Sequence, residues 1–400
     1  MGMENFVLWA PTKVLFGKGQ VDNVAAEILP YGKRVLFVYG QKHLKETGVY
    51  DRITRLLKAA GIAWIDYGGC EPNPRLSYVQ KGAETCRREK VEFVLAAGGG
   101  SCSDAAKAIA AAAKSDFDIW QAFADFRRPV PDAQKKAPST ALPIGVVITK
   151  SATGSEFDLT SVVTKREEPT YEKLLLMNPV LYPRFAICDP TLAFTVPRDQ
   201  TAYGVADMMS HYFEQYFGPS TGCEHLDRMK EGAIRTAIAR GPQVVNEPTN
   251  YDARADLMYV AMWSCSMQTI TGVIPEWTSH FIEHEITAVT DLQHGLGMAL
   301  IFPAWMRYVV EKNPARFARF AERVWDVDRK GKSDVKAGIE GIEKTVQFWK
   351  SLGIPATLTQ AGVSKSIFPK AAKQAARFGT MGSVTPINES DVLKILELAG

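Results

Sequence analysis

The sequence predicts two halves of different class: an α/β half built on a Rossmann-like parallel sheet over residues 1–190, and an all-α half over residues 191–400. Three observations predict this. The chain has 400 residues, beyond the size at which one hydrophobic core usually stops growing. From Lys33 short apolar runs alternate with helix-period segments, the pattern of parallel strands covered by crossover helices. From Pro197 strand signals disappear and one helical pattern follows another.

Taken in order, residues 34–39 read as a strand, 48–60 as a helix, 62–67 as a strand, 76–90 as a helix and 92–97 as a strand. None of these strands alternates strictly, as expected where both faces are buried. After Gly98-Gly99-Gly100 an Ala-rich helix runs from about Cys102 to Lys114, with further strands at 142–149 and 185–188. The Pro-rich stretch 128–143 reads as a loop, and Lys165-Arg166-Glu167-Glu168-Pro169 as the tip of a hairpin. The α/β half closes near Asp189-Pro190. Helices follow at 198–217, 223–240, 252–271, 278–289 and 296–310, and on to Glu397.

Composition narrows the function classes. Lys and Arg number 47 against 44 Asp and Glu, a net charge of +3, which gives no basic field and makes nucleic acid a poor partner. The longest apolar segment, Gly295 to Met306, contains Pro303 and falls well short of the roughly 20 residues needed to cross a bilayer, so no membrane partner is predicted. The first residues lack a basic start followed by an apolar run, and the six Cys are scattered without CxxC pairs. Both features point to a reducing compartment, the cytoplasm.

The strongest local anomaly is the histidines. Five of the six, at 211, 225, 280, 284 and 294, fall in about a fifth of the chain. Asp207 and His211 are four apart on a largely apolar helix, so both project from one face and can grip one ion. His280 and His284 repeat that spacing, and His294 opens a small-residue turn, His294-Gly295-Leu296-Gly297. Any one of these histidines taken alone reads as a satisfied core or surface residue. Together, one Asp and three His make an oxygen and nitrogen donor set without thiolate, suited to Fe(II), Zn(II) or Mn(II). Such an ion, held with spare coordination, acts as a Lewis acid on a carbonyl or alkoxide oxygen.

Gly98-Gly99-Gly100-Ser101 follows a buried strand and opens a helix, where backbone N–H groups can meet a phosphate. The segment departs from G-x-G-x-x-G because its final position is Ser103. A tight strand-to-helix turn without a ligand explains it equally well.

In these residues and their order the chain resembles the iron-containing, or group III, alcohol dehydrogenase family, nearest its butanol dehydrogenase and aldehyde reductase branch. The landmarks are residues 12–19 (TKVLFGKG), Gly98-Gly99-Gly100-Ser101 with Asp104 and Lys107, Ala152-Thr153-Gly154-Ser155-Glu156, Asp207 with His211, and His280 with His294. The resemblance implies a divalent metal, Fe(II) or Zn(II), on Asp207, His211, His280 and His294, which would make the helical half the metal-binding one. It implies the cofactor diphosphate on Gly98, Gly99, Gly100 and Ser101, with Asp104, Thr149, Thr153 and Lys173 lining the nicotinamide side and Asn73 close to the cofactor. His284 then lies by the reaction centre, as a proton relay or an orienting group. The implied reaction is hydride transfer between NAD(P)H and the carbonyl carbon of a small aldehyde, the implied partner an alcohol or aldehyde, and the implied assembly a homodimer through the edge of the N-terminal sheet, where residues 13–16 offer an apolar strand.

Two departures bear on specificity. Relatives often carry an aromatic residue where this chain has Thr290. After the first strand it reads Gly40-Gln41-Lys42-His43, where NAD-preferring relatives tend to have an acid. Room at Gly40, a neutral Gln41 and the donors beside them predict NADP(H) over NAD(H), with NAD also usable. The competing readings are a metal-dependent lyase of the dehydroquinate synthase-like type, using a dinucleotide transiently, and a non-enzymatic metal or nucleotide binder.

Overall fold

The computed structural model describes residues 2–168 and 170–400, apart from the side chains of Asp125 and Thr170. The chain divides into two compact units. One comprises Trp9–Val196 together with Pro248–Met258; the other comprises the residues up to Leu8, Pro197–Glu247 and Tyr259–Gly400.

The first unit holds strands β1 (Lys13–Phe16), β2 (Arg34–Tyr39), β3 (Ala63–Tyr67), β4 (Phe93–Gly98), β5 (Ile144–Ile148), β6 (Thr160–Glu167), β7 (Thr170–Met177) and β8 (Phe185–Cys188). Six of them form one sheet in the order β1-β8-β5-β4-β2-β3, every pair parallel. The inner strands β4, β5 and β8 are buried almost throughout, whereas edge strands β1 and β3 are only half-buried. That contrast follows from the non-alternating apolar runs, which suit strands covered on both faces. Strand β1 takes the edge expected of residues 13–16. The remaining two strands form the hairpin expected around Lys165, with Thr164 opposite Lys173; Pro169, in its tip, lies outside the described residues.

Helices α1 (Val24–Ile28), α2 (His43–Glu46), α3 (Val49–Ala59), α4 (Leu76–Arg88), α5 (Gly100–Lys114) and α6 (Ile119–Arg127) complete the crossovers. On one face of the sheet Val35, Phe37, Phe93, Leu95 and Ile187 join Ile28, Ile53 and Leu57 in a core. Helix α5 is Ala-rich and buried from Ala105 to Ala112. Its small side chains let it lie close on β4 and β5. It starts two residues earlier than the sequence suggests, inside the glycine motif itself, because the first helical positions need no hydrogen-bonded N–H.

Read from β3, the order β3-β2-β4-β5-β8 is the doubly wound 2-1-3-4-5 arrangement. Its switch point falls between β2 and β4, the place where open α/β sheets bind ligands beyond the strand ends. Tyr39 and Ala97 are paired in register there, so Gly40 and Gly98 leave adjacent strands side by side.

The second unit is helical: α7 (Arg198–Tyr216), α8 (Glu224–Asn246), α10 (Met267–Ile270), α11 (Thr278–Thr290), α12 (His294–Val309), α13 (Pro314–Trp325), α14 (Asp334–Ser351), α15 (Phe368–Ala375) and α16 (Glu389–Ala399). Helix α9 (Tyr251–Ser264) begins within the piece that clusters with the sheet. The pattern over 252–271 is therefore two helices, separated at Cys265-Ser266, while α8 runs on through Pro242 instead of stopping at Arg240. Among the described residues of this unit, strand pairing is limited to the bridge Met381–Ile387.

Helices α7, α11 and α12 are buried around nearly their whole circumference, as expected of helices at the centre of a bundle. A Cβ at Gly295 would overlap the carbonyl oxygen of Tyr203 and come within 3.2 Å of Asp207 Cβ. Only glycine lets the start of α12 approach α7 this closely. No helix among the described residues is long and apolar enough to cross a membrane, and the six cysteines are unbridged.

Candidate metal centre and cofactor loops

Three helices of the second unit converge on one point. Helix α7 supplies Asp207 and His211, α11 supplies His280, and α12 supplies His294 from its first turn. Each offers one ligand atom, and these atoms lie within 4.8 Å of one another. His294 Nε2 is 3.5 Å from Asp207 Oδ1, and His211 Nδ1 is 3.8 Å from the same oxygen. The His211 and His280 rings are 4.8 Å apart, and those of His280 and His294 5.5 Å. Asp207, His211 and His280 are buried.

No hydrogen bond reaches the buried Asp207 Oδ1 among the described residues. A carboxylate oxygen in that position is costly unless a positive charge faces it. A divalent cation fits this donor set of three imidazoles and one carboxylate, in charge and in hardness.

His284, one turn beyond His280, is buried and belongs with Glu283 and His294 to a second group of converging ligand atoms. Its ring lies 5.8 Å from that of His294. Thr290 is used in shaping the turn between α11 and α12: its hydroxyl donates to Ile286 O at 2.8 Å and accepts from Leu292 N at 3.2 Å. Asp291 follows in a left-handed conformation, φ 62°. Trp277, before α11, is also left-handed, φ 64°, and its ring stands edge-on to His280 at 5.1 Å.

The residues expected at a dinucleotide all lie in the first unit. Gly98 O accepts from Thr149 N at 2.8 Å, joining the ends of β4 and β5. At Gly100 a Cβ would overlap Thr153 Oγ1, so the glycine is needed for the Thr153 segment to lie over the start of α5. Gly100 and Ser101 fall in the first turn of α5, where backbone N–H groups have no partner in the helical ladder. Asn73 is buried and left-handed, φ 54°, and its loop is tied to the hairpin by Thr164 N donating to Pro74 O at 2.8 Å. Thr164 is the register partner of Lys173, so Asn73 and Lys173 belong to one neighbourhood.

Asp104 is held by hydrogen bonds from two neighbouring segments. Its Oδ1 accepts from Ser155 Oγ at 2.6 Å and its Oδ2 from Val162 N at 3.1 Å. Burial raises its pKa to about 6 despite the nearby Lys107 cation. Both oxygens thus anchor the strand and loop that carry Thr153. Beyond β2, Gln41, Lys42 and His43 are exposed and Gly40 is half-buried. His43 Nε2 is paired with Thr195 Oγ1 at 3.1 Å, and Lys42, two residues beyond Gly40, is exposed. Leu44 packs inward and Glu46 is exposed.

Comparison with known proteins places the chain in a family. The family model for iron-containing alcohol dehydrogenases matches residues 11–190, and that for the C-terminal part of the same family matches residues 201–400. The chain belongs to the iron-containing alcohol dehydrogenase family. It is 42% identical to the probable NADH-dependent butanol dehydrogenase 1 of Bacillus subtilis, with 99% of each chain covered. It is 35% identical to the NADPH-dependent aldehyde reductase YqhD of Escherichia coli, over 94% of each. Among solved structures, NADH-dependent butanol dehydrogenase A of Thermotoga maritima superposes with a TM-score of 0.93 at 38% identity, covering 100% of this chain and 99% of that one. This family member is accordingly an NAD(P)-dependent oxidoreductase that interconverts alcohol and aldehyde and uses a divalent metal. The lyase alternative finds no support in these relatives.

Sequence reasoning passed over two acids that the alcohol dehydrogenase fold brings beside the cluster. Glu214 Oε1 lies 2.7 Å from His280 Nδ1, and Glu283 Oε2 lies 2.6 Å from His294 Nδ1. A signal was there to be used. Glu214 is seven residues beyond Asp207, and Glu283 three beyond His280, spacings that return to the same helix face.

Proposed function

We propose that this alcohol dehydrogenase binds its divalent ion, Fe(II) or Zn(II), through Asp207, His211, His280 and His294, and reduces small aldehydes with NADPH in preference to NADH. The convergence of the four donor atoms within 4.8 Å, with Asp207 Oδ1 buried and accepting no hydrogen bond among the described residues, is the observation that carries the reading. When bound, such an ion supplies Lewis acidity toward a carbonyl oxygen. Gly98, Gly99, Gly100 and Ser101 hold the diphosphate at the start of α5, with Gly40 and Gln41 beside it across the switch point. Thr149, Thr153, Asn73 and Lys173 orient the nicotinamide, while Asp104 fixes the segment that carries Thr153. His284 holds a proton near the reaction centre and passes it to the nascent alkoxide.

The preference for NADPH rests on the absence of an acid at residues 40–43 and on the exposed Lys42, which can donate to a 2′-phosphate. The relatives include enzymes named for NADH and for NADPH, so membership of the family leaves the choice to the residues of this loop. The substrate class follows relatives named for butanol and for aldehydes. A homodimer through β1 and a cytoplasmic location complete the reading, supported by the exposed edge of that strand and by unbridged thiols.

The test is a panel of linear aldehydes assayed with each reduced cofactor, using metal-stripped protein reloaded with Fe(II) or Zn(II). Net cofactor oxidation that requires the ion supports the reading. Equal turnover by the stripped protein, verified metal-free, would refute it.

A further inference from the structure

A neutral imidazole carries one N–H and one lone pair, and the partner of one nitrogen decides which the other presents. Glu214 Oε1 lies 2.7 Å from His280 Nδ1 and Glu283 Oε2 lies 2.6 Å from His294 Nδ1. Glu214 already accepts a backbone N–H through each of its oxygens and Glu283 accepts a hydroxyl, so both carboxyls are placed as acceptors and Nδ1 is the donor in both rings. Nε2 then carries the lone pair, and in His294 it is Nε2 that faces Asp207 Oδ1 at 3.5 Å.

Both carboxylates are fully buried and fixed from more than one side. Glu214 also accepts from Trp277 N at 2.7 Å through Oε2 and from His280 N at 3.2 Å through Oε1. It thereby meets donors at the start of α11 as well as the ring of its first ligand. Glu283 also accepts from the hydroxyl of Thr287, and a Cβ on Gly297 would come within 2.8 Å of its Cγ and Oε1, so α12 closes over it. The chain of contacts runs from α7 through Glu214 to α11, and from α11 through Glu283 to α12.

We propose that Glu214 and Glu283 are positioning residues of the metal centre, holding His280 and His294 respectively as Nδ1–H imidazoles whose Nε2 atoms point at the ion. The inference rests on the metal reading given above. A carboxylate behind a ligating imidazole fixes ring orientation and raises ligand basicity, and loss of such a partner typically weakens metal binding by roughly 10- to 100-fold. Each carboxylate also lets one helix set the ligand of the next, so the site is assembled by packing before the ion arrives.

The test measures Zn(II) affinity of metal-stripped protein by competition with a chromogenic chelator, together with the visible spectrum of the Co(II)-loaded form. Glu283→Gln and Glu214→Gln are compared with the natural protein and with His294→Ala. Each Gln variant is expected to keep the far-ultraviolet circular dichroism of the stripped protein, to bind Zn(II) roughly 10- to 100-fold more weakly and to shift the Co(II) bands. Wild-type affinity and unshifted bands in both Gln variants would overturn the proposal while leaving the ligand set intact. Should Glu214→Gln fail to fold, Glu283→Gln with Thr287→Val decides: weakened Zn(II) binding in both supports the role, wild-type binding in both overturns it. If His294→Ala binds Zn(II) as tightly as the natural protein, the metal reading itself falls, and the positioning role with it.

Discussion

Lys107, with no exposed side-chain surface, donates from Nζ to Asp158 Oδ1 at 2.5 Å. The same ammonium donates to Ser155 Oγ at 3.1 Å and to Thr160 O at 2.8 Å, so all three of its protons are used. The pair ties α5, which starts at the glycine motif, to the segment that leads into the hairpin.

Asp158→Ala should therefore destabilise the protein by about 3–5 kcal/mol, because it leaves a buried cation uncompensated. Denaturant unfolding measures this. A loss below about 1 kcal/mol, the range of an exposed pair, would show that Lys107 finds another partner or water.

Glu156 lies in the same buried region, and burial raises its pKa from 4.5 to about 7. The folded state thus holds this proton where the unfolded chain has released it, and stability falls as pH rises from about 4.5 to about 7. Glu156→Gln should abolish that loss: the variant gains up to about 3 kcal/mol over the natural protein above pH 7, and the gain shrinks toward zero near pH 4.5. Asp104, raised to about 6, adds a slope of the same sign in both proteins. Melting temperatures across this range check it, and a gain that grows toward acid would reverse the assignment.

Gly295→Ala places a methyl group on the carbonyl oxygen of Tyr203. Helices α7 and α12 must separate, carrying His294 away from Asp207. The expected cost is about 1–3 kcal/mol, together with reduced metal content per chain. Metal analysis beside thermal unfolding tells this from simple destabilisation, since normal metal content would show that His294 keeps its place.

His284→Gln should retain the metal while lowering turnover and altering the pH profile, if His284 passes a proton and does not bind the ion. Loss of metal in this variant would make His284 a ligand, as its place in a group with Glu283 and His294 allows.

Gln41→Asp introduces the acid that this loop lacks. An acid there accepts from the ribose hydroxyls and repels a 2′-phosphate, so the ratio of kcat/KM for NADPH to that for NADH should fall at least about tenfold, equivalent to about 1.4 kcal/mol. An unchanged ratio would place the 2′-phosphate elsewhere.

Much of the fold was legible in the residues. Residues 34–39, 185–188 and 198–216 form elements within a residue or so of where their patterns place them, because apolar runs and helical periods report local burial. The convergent donor group was legible for a related reason: Asp207 with His211 shares a helix face by spacing alone, and so many histidines in a short stretch are hard to explain separately. Element ends were less so. The start of α5 and the passage of α8 through Pro242 depend on what packs around them.

The class of each half, the family and the donor types available to an ion are written in the residues. Which of the histidines converge emerges on folding, since His280 and His294 meet Asp207 through helix packing that Gly295 permits and no periodicity encodes. Folding alone brings Ser155 and Val162 to Asp104, and sets Glu214 and Glu283 behind two imidazoles. The physical reason is common to all three. Periodicity records which face of an element is buried, whereas a hydrogen bond between residues on different elements depends on the distance and angle at which those elements pack, and that is set by the fit of side chains along the whole contact.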